Sequence, residues 1–437
     1  MINKKETAAK SDSRISEMLG VLKKNDIAHG LTPKKLRTIL EELGPTFVKL
    51  GQILSMRSDL IPSEYCDELT SLRSHATPFS FSEVKGVIAQ EYGVKSWREV
   101  FSSLEAVPLG SASIAQVHQA VLKDGRAVVV KVQRPGIKET MGQDIAILRR
   151  AIALVKFAPE LGNPLDFKIM VEEMWVVAQQ EMEFLIEASH LEEFAKLNQD
   201  VAYVSCPKVE KHLTTSKILV MEYVEGVSID NGAMLSALGY DRDEIAQKLA
   251  ANYAKQVLDD GLFHADPHPG NIVIREGKIV WLDLGMVGRI TGRDKEQFSA
   301  ALKAMIHGDV MELKNVALSI GIVRQKLNHA ALYNDIDLML ARYSTADFAS
   351  INLGQFLVEM NDLMSRHHIG MPEGVSMLGR GMMTLEGVLS GLSPKINFME
   401  IITRHMVGKE FDLQKELKET GAAALVTLRK SLDIPAH

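Results

Sequence analysis

A single lysine interrupts an otherwise apolar, β-branched run, "AVVVKVQ", Ala127 to Gln133. The run is bounded by the turn-forming strings "KDG" and "RPG", which predicts one short buried strand. A charged side chain in such a strand is costly to bury unless it is paired. The fold must therefore bring a carboxylate to Lys131. The expected partner is Glu187, in "QQEMEFLIEASHLEEF", a glutamate-rich segment whose helical apolar face runs through Phe184, Ala188 and Leu191. The alternative is a surface lysine on an edge strand.

At 437 residues the chain is too long for one small core and suits two or three domains. It is 46% hydrophobic, 24% charged and 6% aromatic, as globular proteins are. No uncharged apolar run reaches the roughly 18–20 residues of a spanning helix. "MINKKETAAKSDSR" lacks the apolar core of a secretory signal. Cys66 and Cys206 stand far apart and form no metal or redox motif, which fits a reduced, cytoplasmic compartment. The net charge of −6 argues against nucleic acid as a partner. Residues 1–40 nevertheless hold nine Lys and Arg against four Asp and Glu, leaving −11 on the remainder. Such a basic arm is either a solvated tail or a peripheral contact with an anionic membrane surface on its inner face.

Along the chain, the first thirty residues are expected to be poorly ordered. Leu36, Ile39, Leu40 and Leu43 then mark an amphipathic helix that stops at Gly44–Pro45. "TFVKLGQILSMRSDL" forms a second helix, and "IPSEY" opens a third with Pro62 near its start. Residues 1–105 thus form a helical extension. A strand-rich segment, 106–226, includes "AVVVKVQ", the helical stretch 166–198 and a second strand-like run, "KILVMEYVEG" (217–226). Residues 227–437 are mostly helical, and the tail "LKETGAAALVTLRKSLDIPAH" is an expected amphipathic packing helix. Strands first and helices afterwards, around one polar loop, predict an α+β fold of two lobes with a site between them.

That polar loop is "FHADPHPGNIVI", Phe263 to Ile274, followed by "WLDLG". His264, Asp266 and His268 alternate as metal ligands can, but zinc takes three or four protein ligands and no second His/Cys cluster follows. Phosphoryl transfer accounts for more of the residues. Asp266 and Asn271 are five apart, the spacing of the base and the metal-binding Asn in a kinase catalytic loop. Asp283 heads "DLG" behind "IVWL", an Asp-Phe-Gly element with Leu for Phe. Asn271 and Asp283 offer hard oxygens suited to Mg²⁺, Asp266 would orient a hydroxyl or water, and His264 would brace the loop. Lys131 stands where a strand lysine binds phosphates. Eighteen residues before it, Gly110, Ser111, Ala112 and Ser113 occupy the place of a phosphate-covering glycine loop, and small residues allow close backbone approach. Glu222 and Tyr223, within the second strand-like run, are further expected nucleotide contacts. In "KLGQ", Lys49 and Gln52 share one helix face, Phe47, Leu50 and Leu54 lie opposite for packing, and Gly51 permits close helix contact.

Together "KLGQ" with "SMRSDLIPSEY", "GSASIAQVHQA", "VVVKVQRPG", "EMEFLIEA", "HADPHPGN" and "LDLG" resemble, in order, the UbiB family of atypical kinases, also called the aarF-domain or ADCK-like family. The match runs from about Leu36 to Gly288. The resemblance implies a bilobal protein-kinase-like fold whose N-terminal helical extension folds over the active site. It assigns Lys49 and Gln52 to an occluding element, with Glu181 and Glu183 as its acidic partner motif. Glu183 stands where the family has Asp, one methylene shorter. Glu187 takes the role of pairing with Lys131. The family's alanine-rich nucleotide loop is matched only in part by Gly110–Ser113.

The resemblance further implies ATP or ADP with Mg²⁺ as cofactors, and support of isoprenoid-quinone biosynthesis, such as ubiquinone, or lipid handling as an ATPase. Partners would be an isoprenoid lipid or quinone precursor, and a second copy of the chain or a biosynthetic complex. Many members carry transmembrane helices, and this sequence shows none. Two other functions stay open: a small-molecule phosphotransferase, since "HADPHPGN" with "WLDLG" also fits the signature of aminoglycoside- and choline-type kinases, and a non-catalytic nucleotide-sensing scaffold.

Overall fold

The computed structural model describes residues 4–27, 30–58, 60–72, 77–155, 164–344 and 351–407. It divides into two compact units, the first of residues 1–55, 60–192 and 207–223, the second of 56–59, 193–206 and 224–437.

The first unit opens with four helices, α1 (Lys4–Lys24), α2 (Pro33–Leu43), α3 (Pro45–Ser55) and α4 (Ser63–Leu69). Thr32 caps α2 by accepting from Lys35 N–H, and Gly44 ends it at φ 94°, a left-handed conformation that glycine adopts freely. Pro45 then starts α3, where its missing N–H costs nothing. Gly51 is required by packing: a Cβ there would lie 2.3 Å from Leu72 Cδ1 and 2.7 Å from Leu40 Cδ1.

Within the first thirty residues, expected from the sequence to be poorly ordered, the described part forms helix α1. Its fixing comes from far along the chain. Arg14 Nε donates to Asp144 Oδ1 (2.9 Å), its Nη2 donates to Leu43 O (2.8 Å), and the guanidinium lies 5.7 Å from the Phe47 ring centroid.

Next come α5 (Phe81–Tyr92), β1 (Phe101–Leu104), β2 (Gly110–Ser111), β3 (Ala115–Leu122) and β4 (Ala127–Gln133). Three helices follow, α6 (Ile137–Val155), α7 (Pro164–Glu181) and α8 (Phe184–Leu197), the last turn of α8 clustering with the second unit. After β5 (Val204–Ser205), β6 (Ile218–Glu222) completes an antiparallel sheet in the order β1-β3-β4-β6, with β2 against β3. Ser80 and Glu83 form a reciprocal capping box that starts α5. Val84 and Ile88 of α5, Phe101 and Leu104 of β1, and Val128, Val130, Val132 and Val220 share one core. The helical run before residue 106 is thus broken by a strand. Half of "PLGSASIAQVHQA" is also strand, β3.

In the second unit β5 lies beside β10 (Lys278–Trp281), which pairs with β9 (Ile272–Arg275), and that with β7 (Val227–Ser228). A two-stranded ribbon joins β8 (Leu262–His264) to β11 (Val287–Arg289), His264 facing Val287. The helices are α9 (Gly232–Ala237), α10 (Arg242–Lys255), α11 (Gly292–His307), α12 (Val310–Ile320), α13 (His329–Ser344), α14 (Leu353–Arg366), α15 (Glu373–Leu392) and α16 (Phe398–Val407). A small ribbon pairs β12 (Ile322–Val323) with β13 (Ile369–Gly370). The amphipathic tail expected at 417–437 lies outside the described residues. No helix among the described residues is long and apolar enough to cross a membrane.

Candidate active site

In the first unit Lys131 sits on β4, a central strand between β3 and β6, facing Val117 and Leu219 in register. It is not an edge lysine. Nζ donates to both carboxylate oxygens of Glu187, at 3.0 and 2.8 Å, and lies 5.4 Å from the Phe184 ring centroid. Glu187 is in the first turn of α8, where the helix dipole also favours a carboxylate. Gln133, two residues along β4, donates to Met182 O, and Phe184 N–H donates to Ser216 O. The turn between α7 and α8 is thereby fixed to the sheet, which holds Glu187 at the height of Lys131.

Gly110 and Ser111 form the short β2, and Ala112 N–H donates to Ala115 O, closing the bend to β3. Gly110 has no positive φ, and a Cβ there would meet open space. Its backbone conformation therefore does not call for glycine. Glu222 pairs with Val128 at the end of β6, its backbone N–H donating to Lys208 O, and Tyr223 N–H donates to Ala127 O.

Lys49 of α3 is buried, and its Nζ lies 2.6 Å from Glu181 Oε2, with side-chain exposures of 11% and 10%. Glu181 Oε1 and Glu183 Oε1 are both buried without a hydrogen-bond partner. Gln52 Nε2 donates to Leu72 O at 3.1 Å. Of the expected acidic pair, Glu181 makes the contact with Lys49. Glu183 instead precedes α8, its carbonyl accepting from Ile186 N–H.

In the second unit the loop from His264 to Asn271 is held from behind. A π-helical turn, Gln256–Asp260, ends α10 and turns Gln256 inward, a distortion common near functional sites. Gln256 Oε1 accepts from His264 N–H (3.0 Å), and Tyr253 Oη donates to His264 O (3.0 Å). Asn252 Oδ1 accepts from both Gln256 Nε2 (2.9 Å) and Trp281 Nε1 (3.1 Å), while Asn252 Nδ2 donates to Asn198 Oδ1 (2.7 Å). Asn252 and Gln256 have no exposed surface. A satisfied buried network of this kind fixes one geometry, because leaving any member unpaired is costly. Asn198, Asn252, Tyr253 and Gln256 did not stand out in the sequence. Their signal was weak: polar residues four apart in a helix that otherwise reads as ordinary.

His264 is buried against Trp281, ring centroids 5.2 Å apart, and its Nδ1 accepts from Asp266 N–H at 3.1 Å. Burial holds its pKa below the ordinary histidine value against the pull of Asp266 and Asp283. With Nδ1 accepting, the neutral form of the ring carries its proton on Nε2, which is buried without a hydrogen-bond partner among the described residues. His264 braces the loop. Asn271 Nδ2 donates to Asp266 O (3.2 Å), leaving Asn271 Oδ1 as the amide's remaining acceptor. Leu282 N–H donates to Asn271 O (2.9 Å), which ties the loop to the Asp283 turn. There Gly285 N–H donates to Asp283 Oδ1 (2.8 Å), and Leu284 is fully buried as the apolar anchor.

Among the described residues no three His, Cys, Asp or Glu side chains converge as a metal-binding group. Asn271 and Asp283 carry hard oxygen donors and stand at the adjoining ends of β9 and β10, where Leu282 N–H donates to Asn271 O. This small set fits Mg²⁺, which keeps several waters and takes one or two carboxylate ligands beside phosphate oxygens.

The family model for the ABC1 atypical kinase-like domain matches residues 71–317, and that for the UbiB helical domain matches 336–397. The chain belongs to the UbiB family of atypical kinase-like proteins. An uncharacterized protein from the hydrogenase 1 5′ region of Clostridium pasteurianum is 37% identical over 384 residues, 87% of this chain and 72% of that one. The probable protein kinase UbiB of Xylella fastidiosa is 31% identical, covering 83% of this chain and 67% of that one. Some relatives are longer: the chain spans 63% of one from Synechocystis and 53% of one from Arabidopsis. The solved complex of Rv3197 with erythromycin from Mycobacterium tuberculosis aligns with TM-score 0.55 at 24% identity, covering 91% of this chain and 97% of that one. It supports the fold. In this UbiB chain the catalytic-loop candidates fall within the kinase-like match, while α14 and α15 form most of the helical one.

Proposed function

We propose that this chain is a Mg²⁺-dependent nucleotide enzyme, an ATPase that supports isoprenoid-quinone biosynthesis or the handling of a related lipid. The observation that supports this reading is the Leu282 N–H to Asn271 O hydrogen bond, because it joins the backbone of Asn271 to the residue before Asp283. Asn271 and Asp283 would hold the magnesium. When bound, that ion neutralises the charge of the β- and γ-phosphates.

The chain's own groups do the rest. Lys131 binds a phosphate oxygen with the ammonium that Glu187 orients. Asp266 accepts the proton of the attacking water or hydroxyl, with its backbone fixed by His264 and Asn271. Gly110 to Ser113 cover the phosphates, and Glu222 and Tyr223 meet the base. Lys49, paired with Glu181, keeps a bulky acceptor away from the nucleotide. That occlusion favours water as acceptor over a protein hydroxyl, which is why ATPase is preferred to protein kinase. The partners in this account are ATP or ADP, an isoprenoid lipid or quinone precursor, and an anionic membrane surface met peripherally.

The test is to follow the γ-phosphate of labelled ATP with purified chain and Mg²⁺, with and without anionic liposomes and a metabolite extract. Free phosphate that rises with lipid supports the ATPase. Label on an organic molecule replaces it with a small-molecule phosphotransferase.

A further inference from the structure

Arg134, in the "RPG" that follows β4, gathers three consecutive carbonyls. Its Nε donates to Ser113 O (3.2 Å), its Nη2 to Ala112 O (3.3 Å), and its backbone N–H to Ile114 O (2.7 Å). Nη2 also donates to Thr77 O (3.0 Å), and the guanidinium lies 5.2 Å from the Phe79 ring centroid. Phe79 is itself clamped by Gln116, which accepts from its N–H (3.0 Å) and donates to its carbonyl (3.2 Å).

A trans peptide is planar, so its N–H points opposite to its carbonyl. No peptide in the described chain is cis. With the carbonyls of Ala112 and Ser113 turned toward the guanidinium, the N–H groups of Ser113 and Ile114 must face the other way. Ser113 and Ile114 are 2% and 5% exposed, and neither N–H has an acceptor among the described residues. Ser111 Oγ, two residues before, is buried and unpartnered as well. Buried donors without acceptors are costly and uncommon. Successive N–H groups aimed to one side form an anion-binding concavity. The permanent charge of an arginine behind them makes the loop more attractive to an anion still.

We infer that Arg134 is the positioning residue that turns the Ser113 and Ile114 N–H groups toward the phosphates of a nucleoside di- or triphosphate. The inference rests on the nucleotide-enzyme reading and deepens it. Arg134 does not touch the ligand. It orients the backbone that does, and through Thr77 and Phe79 it ties that backbone to the segment preceding α5. Where a glycine-rich loop is free to move, this one is held by side-chain hydrogen bonds, which accounts for small residues doing without the extra glycines.

The test measures Kd for Mg-ATP, Mg-ADP and adenosine with the full chain and its Arg134→Ala and Arg134→Lys variants, alongside Tm. Arg134→Lys keeps the charge and much of the packing on Phe79 but cannot span the carbonyl pair. Both variants are expected to weaken ATP and ADP about tenfold or more while adenosine, which has no phosphate, binds as to the wild type. Nucleotide should also slow amide exchange across residues 110–116 in the wild type and not in Arg134→Ala. Equal loss of adenosine and ATP binding would reduce Arg134 to a structural clamp and overturn the inference. So would Arg134→Lys binding ATP as the wild type does, with the nucleotide reading left intact. A wild-type chain that binds none of the three overturns that reading and the inference with it.

Discussion

Lys131 Nζ is shared between both oxygens of Glu187, and the pair lies on a central strand and the first turn of a helix. The side chains are 15% and 6% exposed. Removing one partner of such a pair leaves the other charge buried alone, which costs about 3–5 kcal/mol. Lys131→Ala is therefore expected to lower the stability of the chain by a few kcal/mol and its turnover by several orders of magnitude. Adding Glu187→Ala should recover part of the stability and none of the turnover. Denaturant unfolding with single and double variants measures the first effect, and phosphate release the second. A double variant no more stable than Lys131→Ala would show that the pair is not coupled.

The loop from His264 to Asn271 has a helix backbone close behind it. A Cβ at Gly381 of α15 would lie 2.5 Å from Tyr253 Oη, 3.1 Å from Ala265 O and 3.3 Å from His264 O. Gly381→Ala should thus cost about 1–3 kcal/mol by overpacking and reduce turnover by displacing the loop that carries Asp266. Gly387, on the same helix, has nothing within 4 Å of its missing Cβ. Gly387→Ala should be neutral or stabilising by up to about 1 kcal/mol. The Tm and turnover of the two variants side by side check this. Equal effects would contradict the close contact.

Glu386 of α15 accepts from the N–H groups of Leu353 and Gly354 at the start of α14, at 2.9 and 3.0 Å. Burial pushes its pKa from 4.5 up to about 7, against the pull of those two donors. The folded chain then holds a proton that the unfolded chain has lost, so stability falls as pH rises from 4.5 to about 7 and is level above that. The cost at neutral pH is at most about 3 kcal/mol. Glu386→Gln removes the titration. Its Tm relative to wild type should rise between pH 5 and pH 8, and a difference independent of pH would contradict the assignment.

Much of this site was legible because its signals are local. The "VVVKVQ" run sets β4 from Ala127 to Gln133, Gly44–Pro45 separates two helices, and the five-residue Asp266–Asn271 spacing sits in one loop. Glu187 was legible as a partner because a buried lysine requires one. The helix α1 was not, since "KKETAAKSDSR" has no apolar stripe and is fixed by Asp144, 130 residues away. Nor was the Asn198–Asn252–Gln256 network, which exists only once α8, α10 and β10 have met. Arg134 was visible in "RPG" as part of a turn, and only the carbonyls around it show what it holds.

The central claim is that Asn271 and Asp283 hold the magnesium of a bound nucleotide. The most direct measurement is a titration of a fluorescent ATP analogue into wild type, Asn271→Ala and Asp283→Asn, each with Mg²⁺ and with a chelator. The account predicts tight binding to wild type that requires Mg²⁺, weakened in Asn271→Ala and abolished in Asp283→Asn, with all three chains folded by circular dichroism. Binding that is the same with chelator as with Mg²⁺, or unchanged in Asp283→Asn, would contradict it.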